Sequence, residues 1–138
     1  MRAAICLSFL LCVLPALSAE YRIRTPKGRC VLAVRVPGDV VVTTPNCHNH
    51  KTIFHVHGDV EPHSDADSYV SNGKWYIGKS KDGKSLAWVD KKYDWKFTHI
   101  HGSSYHTVHS HGDYWAHGHV GRPIKLGTDK DDWYFESA

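Results

Sequence analysis

The chain has 138 residues, 17 basic and 14 acidic, with a formal net charge of +3 when histidine is neutral. That length fits one domain with a modest core, and the near-balanced charge, with no basic stripe, argues against a nucleic-acid partner. The outlier is histidine: there are 12, all between His48 and His119.

Residues 1–19 read as a secretory signal. Arg2 is the only charged side chain there, an apolar run covers Ala3–Leu14, and the stretch from Pro15 to Ala19 ends in small residues. The run is too short to span a bilayer. Cleavage after Ser18 fits, with Ala16 at minus three, and so does cleavage after Ala19. No later stretch is apolar enough for a membrane span, so a secreted, extracellular product is expected. Without Arg2 the basic residues number 16 against 14 acidic. Cys6 and Cys12 leave with the signal, and Cys30 and Cys47 remain in an oxidising compartment, where they are expected to pair. No Asn-x-Ser/Thr sequon is present, so N-glycosylation is not expected.

From Tyr21 onward no helical period of useful length occurs. Short apolar segments separated by Gly, Pro, Asn and Asp predict an all-β fold. Tyr21–Arg24 opens a first unit and Thr25–Gly28 turns it. Cys30–Val34, Gly38–Val42 and Thr52–Gly58 follow, with Val40–Thr44 the clearest strand. Asp59–Ser68 reads as a loop. Ser68–Val70 opens a second unit, with strands over Trp75–Gly78, Ser85–Val89 and Trp95–His99. Turn chemistry at Asn72-Gly73, Asp82-Gly83 and Asp90–Lys92 precedes them. In that third strand Phe97 and Ile100 are out of step, which predicts a bulge or strand end near Thr98. Tyr105–Val108 opens a third unit, with Tyr114–His117, Pro123–Leu126 and Asp132–Glu136. Residues 52–58 align with 96–102 through Thr/Lys-x-x-His-x-His-Gly, and Asp94–Phe97 aligns with Asp132–Phe135. The units, at 20–66, 67–103 and 104–138, are each about 40 residues long, the mark of a repeat architecture. Twelve strands in a closed threefold arrangement leave few raw edges.

Gly28-Arg-Cys30-Val-Leu-Ala-Val34, Val40–Val42, Pro45-Asn-Cys47 and Ile53-Phe54 resemble the ricin-B (R-type lectin) repeat. Trp95-Lys-Phe97 and Trp133-Tyr-Phe135 keep its Trp-x-Phe end. The resemblance covers residues 20–138. It implies a β-trefoil of twelve strands, with Cys30 and Cys47 at the repeat's disulfide positions. The histidine content is also similar to that of hisactophilin-like trefoils, which are intracellular. The family's sugar-holding Asp falls on Leu32, Ile77 or Ala116, and its Gln falls on Asn49, Tyr93 or Asp131. No unit has an intact family sugar site.

Five His-x-His pairs occur: His48/His50, His55/His57, His99/His101, His109/His111 and His117/His119. On a strand, residues i and i+2 share a face, so both rings can meet one ion. Imidazole suits zinc and copper, and a tetrahedral site needs more than one pair. The candidate metal ligands are His55, His57, His99, His101, His109, His111, His117 and His119, with His55/His57 and His99/His101 expected to meet around the axis. The competing reading is a solvated face, since in Phe54-His55-Val56-His57 the histidines alternate with apolar residues.

The chain also has many aromatics. Of the adjacent pairs Trp75/Tyr76 and Tyr114/Trp115, one member each is expected to face outward and stack on a flat ligand. Trp88, Tyr93, Trp115 and Asp131 are the candidate ligand-binding residues. No Ser or Cys nucleophile has an orienting partner, and the acidic runs lack calcium-loop spacing, so no catalytic residue is assigned. The expectation is a secreted, non-enzymatic binding protein, lectin-like towards a glycan or an extracellular matrix component. The alternative is a histidine-rich zinc- or copper-binding, or pH-responsive, protein.

Overall fold

The structure, a computed structural model, describes residues 18–32, 36–57 and 60–138. The predicted signal over residues 1–17 lies outside these, as do parts of two predicted strands (residues 33–34 and 58). Ser18 and Ala19, the last residues of the predicted leader, sit in the first strand opposite His57 and Val56.

The described residues form thirteen strands and one 3-10 turn, His50–Thr52. The strands are β1 Ser18–Arg24, β2 Cys30–Leu32, β3 Val42–Thr44, β4 Phe54–His57, β5 Ala66–Ser68, β6 Val70–Ser71 and β7 Tyr76–Lys79. They continue as β8 Leu86–Val89, β9 Trp95–His99, β10 His106–Ser110, β11 Asp113–Ala116, β12 Lys125–Gly127 and β13 Tyr134–Ser137. The fold is all-β, as the short alternating segments predict. Twelve strands were expected. The thirteenth arises because the first strand of the second unit breaks at Tyr69, where the chain changes partner. Before the break β5 pairs with β9, and after it β6 pairs with β4. Residues 66–68 are therefore strand, not the end of a loop. β9 runs on through Thr98 to His99, so the expected irregularity falls at the strand end.

The pairings run in a circuit. β1 pairs with β4, β4 with β6, β5 with β9 and β9 with β10. His106 of β10 bridges Trp133 beside β13, and β13 returns to β1. Three hairpins, β2–β3, β7–β8 and β11–β12, lie outside this circuit. They are tied to one another by a three-way cycle of backbone hydrogen bonds. Val41 N–H donates to Leu86 O at 3.0 Å, Leu86 N–H to Ile124 O at 2.9 Å, and Ile124 N–H to Val41 O at 2.9 Å. All three side chains are fully buried.

The pairing registers fix which residues correspond between units. Ile23 faces Phe135, Val70 faces Val56, and Val108 faces Phe97. Tyr21 faces Phe54, Ser68 faces Trp95, and His106 faces Trp133. Phe54, Trp95 and Trp133 thus occupy one kind of position, and Val56, Phe97 and Phe135 another. This corrects the alignment of residues 52–58 with 96–102. The shared His-x-His-Gly is a likeness of sequence that does not set register, whereas the inward pair i, i+2 does. Phe54-His55-Val56 therefore lies on Trp95-Lys96-Phe97, and His55/His57 are not equivalent to His99/His101.

The core gathers Trp88, Trp95, Trp115 and Trp133, all fully buried, with Phe54 and Phe97. Trp95 Nε1–H donates to Ile77 O at 2.9 Å and Trp133 Nε1–H to Trp115 O at 3.1 Å, the same bond in two successive units. Cys30 and Cys47 form the expected disulfide, Cα to Cα 5.5 Å. No helix among the described residues is long and apolar enough to cross a membrane.

Candidate functional site

Two of the aromatic candidates are closed to any ligand. Trp88 and Trp115 are 0% exposed. Trp88 stacks on Phe54 at 5.6 Å, and Trp115 is held edge-on between Trp95 at 5.4 Å and Trp133 at 5.6 Å. In β8, Leu86, Ala87 and Trp88 are buried in succession, with β7 paired along one edge and Val40 and Lys125 bridging Ala87 and Ser85 at the other. In β11, Trp115 is the inward member of its pair and Tyr114 the half-buried one. Tyr93 is half-buried with its ring 4.8 Å from that of Trp95. Asp131 accepts a hydrogen bond from His117 N–H at 2.6 Å. By the observed register the first-unit counterpart of these two is Thr52, not Asn49. Thr52 is buried, and its Oγ1 donates to backbone carbonyls of Cys47 and Asn49.

Among the described residues no three His, Cys, Asp or Glu side chains converge to hold a metal ion. The four imidazoles expected to meet do not, because the register places the two pairs differently. His55 Nε2 is 3.9 Å from Glu20 Oε2, while His57 stacks on Tyr69 at 5.1 Å. His99 Nε2 donates to Ser103 O at 2.6 Å, and His101 is exposed in a turn. His109 stacks on Tyr114 at 4.6 Å, His117 Nε2 lies 2.6 Å from Asp132 O, and His119 is exposed.

What the strands do bring together is a polar row across four of them. Asp67 of β5 faces Lys96 of β9, Lys96 faces His109 of β10, and His109 faces Tyr114 of β11. Alternation turns all four outward, since Phe97 and Val108 point into the core. Asp67 and Lys96 pair at 3.4 Å. The row opens into a cleft of about 740 Å³ lined by His57, Tyr69, Asp67, Asp94, Lys96 and His109, among others. The His57 ring lies nearly parallel to that of Tyr69, and His57 Nδ1 is 3.3 Å from the Tyr69 hydroxyl. His111 is placed at the rim by the hairpin turn. It has φ 52° and Gly112 φ 84°, the pair of positive angles a two-residue hairpin turn needs. Tyr69 and Asp67 were hidden in the predicted loop and strand opening. The signal was nonetheless present, for in Ser68-Tyr69-Val70 the tyrosine alternates between two inward residues.

A second histidine group lies beside Ser103. The ring centroids of His63 and His99 are 5.5 Å apart, and those of His99 and His106 are 5.9 Å apart. His106 is buried in the place of Tyr21 and Ser68, and its Nε2 donates to Ser64 O at 2.8 Å. Burial holds the His106 pKa below the ordinary imidazole value, with the neighbouring His99 adding to the effect. Burial also lowers that of His109, helped by Lys96 and Lys130. The unfolded chain therefore takes up these protons first. Their contribution to stability is complete above about pH 6.5 and is lost as pH falls from there towards the depressed folded values. Thermal melts should show Tm falling between about pH 7.5 and 5.5, with a shallower fall in His106→Gln. A Tm independent of pH over that range would show that neither histidine is buried neutral.

The outcome is an all-β protein with a polar, aromatic-walled cleft on the outer face of its sheets. Comparison with models of known protein families finds no match, and comparison with curated proteins finds none either.

Proposed function

We propose that the chain is a secreted β-trefoil that binds carbohydrate, in the manner of a lectin, through the cleft beside Tyr69. The trefoil reading is supported by the strand circuit, the three outlying hairpins and the hydrogen-bond cycle of Val41, Leu86 and Ile124. The saccharide reading is carried by one observation: the His57–Tyr69 stack shares a cleft with Asp67, Asp94 and Lys96. A sugar offers a C–H face and a rim of hydroxyls. Ring surface packs against the first, and carboxylate and ammonium groups bond the second. A volume of about 740 Å³ suits one or two sugar residues. Extracellular placement is supported by the leader-like residues 1–19 and by the disulfide.

A pH-responsive histidine protein is the second reading, favoured by the presence of His57, His109 and His111 around the same cleft. A zinc or copper ion there belongs to that reading. The experiment is a glycan array in the presence of a chelator, followed by titration of the best glycan into wild type and Tyr69→Ala. Tyr69→Ala is expected to lose about tenfold in affinity or more. An array without hits, or equal affinity in the variant, overturns the cleft as a saccharide site. Binding abolished by the chelator favours the metal reading.

A further inference from the structure

A second cavity, of about 540 Å³, lies between the turn after β1 and the segment leading into β12. Lys27 and Arg29 come from the turn, Arg122 and Lys125 from the other side, and His117 and His119 from the loop after β11. No Asp or Glu is among its lining residues. The Asp131 carboxylate lies 3.7 Å from His117 Nδ1 and is already bonded to the His117 amide. None of the four cations takes part in an ion pair among the described residues.

Arg29 sets this cavity apart from an ordinary basic surface. Its Nε is buried and has no hydrogen-bond partner among the described residues. The other two described arginines of the first unit are engaged: Arg22 Nε donates to Thr52 Oγ1 at 3.1 Å and Arg24 Nε to Glu136 at 2.8 Å. A buried donor left without a partner is costly. The backbone that carries Arg29 is held in place. Its N–H donates to Thr25 Oγ1 at 3.2 Å, its carbonyl accepts from Thr25 N–H at 2.9 Å, and the disulfide begins at the next residue. The opposite wall is closely packed, since a Cβ at Gly118 would lie 2.7 Å from Pro123 O.

Four cations lining one cavity, one with an unused buried donor, repel one another until an anion enters. Guanidinium groups match the oxygens of sulfate and phosphate, with two parallel bonds to each. The volume exceeds that of a bare oxyanion, and Pro26 and Pro123 add apolar wall beside the charges. We propose that this cavity binds the sulfate or phosphate ester of an acidic saccharide. It uses other residues than the Tyr69 cleft, so either site can fail without the other.

The test is calorimetric titration at low salt with a sulfated hexosamine disaccharide, its unsulfated parent and inorganic sulfate. The sulfated disaccharide is expected to bind best, inorganic sulfate to compete weakly, and the unsulfated parent not to bind at this site. Affinity should fall as salt rises through the range that screens such charges. Arg29→Gln is expected to lower affinity at least tenfold. Arg122→Gln with Lys125→Gln, in which the altered residues are at the surface or in a loop, should do the same and keeps the test valid if Arg29→Gln does not fold. Lys91→Gln, an exposed charge elsewhere, should change nothing. Equal binding of the sulfated and unsulfated sugars, or unchanged affinity in both cavity variants, overturns the proposal. So does inorganic sulfate binding as tightly as the sulfated sugar, which would mark a simple anion site.

Discussion

Phe97→Ala is expected to destabilise the fold by roughly 3–5 kcal/mol, the range for truncating a fully buried aromatic side chain. Phe97 is 0% exposed and its ring sits 4.9 Å from that of Phe135. The backbone on either side is pinned, facing Val108 on β10 and Ala66 on β5, so the walls have little room to collapse. Lys96 next door points outward, and Lys96→Ala should fall within about 0.5 kcal/mol of wild type. Val56 fills the corresponding position of the first unit. Val56→Ala should cost less than Phe97→Ala, because fewer atoms leave the core. Urea melts with unchanged slope read all three. A Phe97→Ala cost below about 1 kcal/mol would falsify the packing described here.

Removing the disulfide as Cys30→Ala with Cys47→Ala should cost about 3 kcal/mol, because the crosslink closes a loop of similar size to those that yield this figure. The cysteines are 17 residues apart. Cys30 lies in β2 opposite Thr44, and both cysteines are buried. The tie matters more here than in a long strand, since β2 and β3 have three residues each among the described residues. Protein expressed without residues 1–17 should show no free thiol when denatured unreduced. Two thiols per chain, or a double variant as stable as wild type, would remove the crosslink from the stability of the first unit.

The parts of this structure legible in the sequence are those where burial and alternation coincide. Trp95-Lys-Phe97 and Trp133-Tyr-Phe135 place large residues inward at i and i+2, and the second and third units align through them without error. The first unit has Phe54-His-Val56 in that place. It lacks a tryptophan, so the repeated His-x-His-Gly is the stronger likeness on paper, although its imidazoles carry no register. The metal quartet followed from that slip. Trp88 and Trp115 differ from expectation for separate reasons. Alternation fails in β8, where Leu86, Ala87 and Trp88 are buried in succession, while in β11 it holds but Trp115 is the inward residue and Tyr114 the outer one. The strand break at Tyr69 was beyond reach, because it reflects which neighbour each half pairs with and not any residue in the segment.

The seam between β1 and β13 has a consequence for how the chain assembles. Arg24 and Glu136, bonded across it, are 112 residues apart. Every other seam of the circuit joins segments much closer along the chain, so this one carries the heaviest loop-closure entropy and cannot form during synthesis until the final strand has left the ribosome. β1 can meet β4 early, but its outer edge, with Tyr21 and Ile23, then waits exposed. Contacts of such long range slow folding, and an open strand edge invites another chain. Refolding should therefore be slow and concentration-sensitive, with the last protection from hydrogen exchange gained at the amides of residues 21–24 and 134–137.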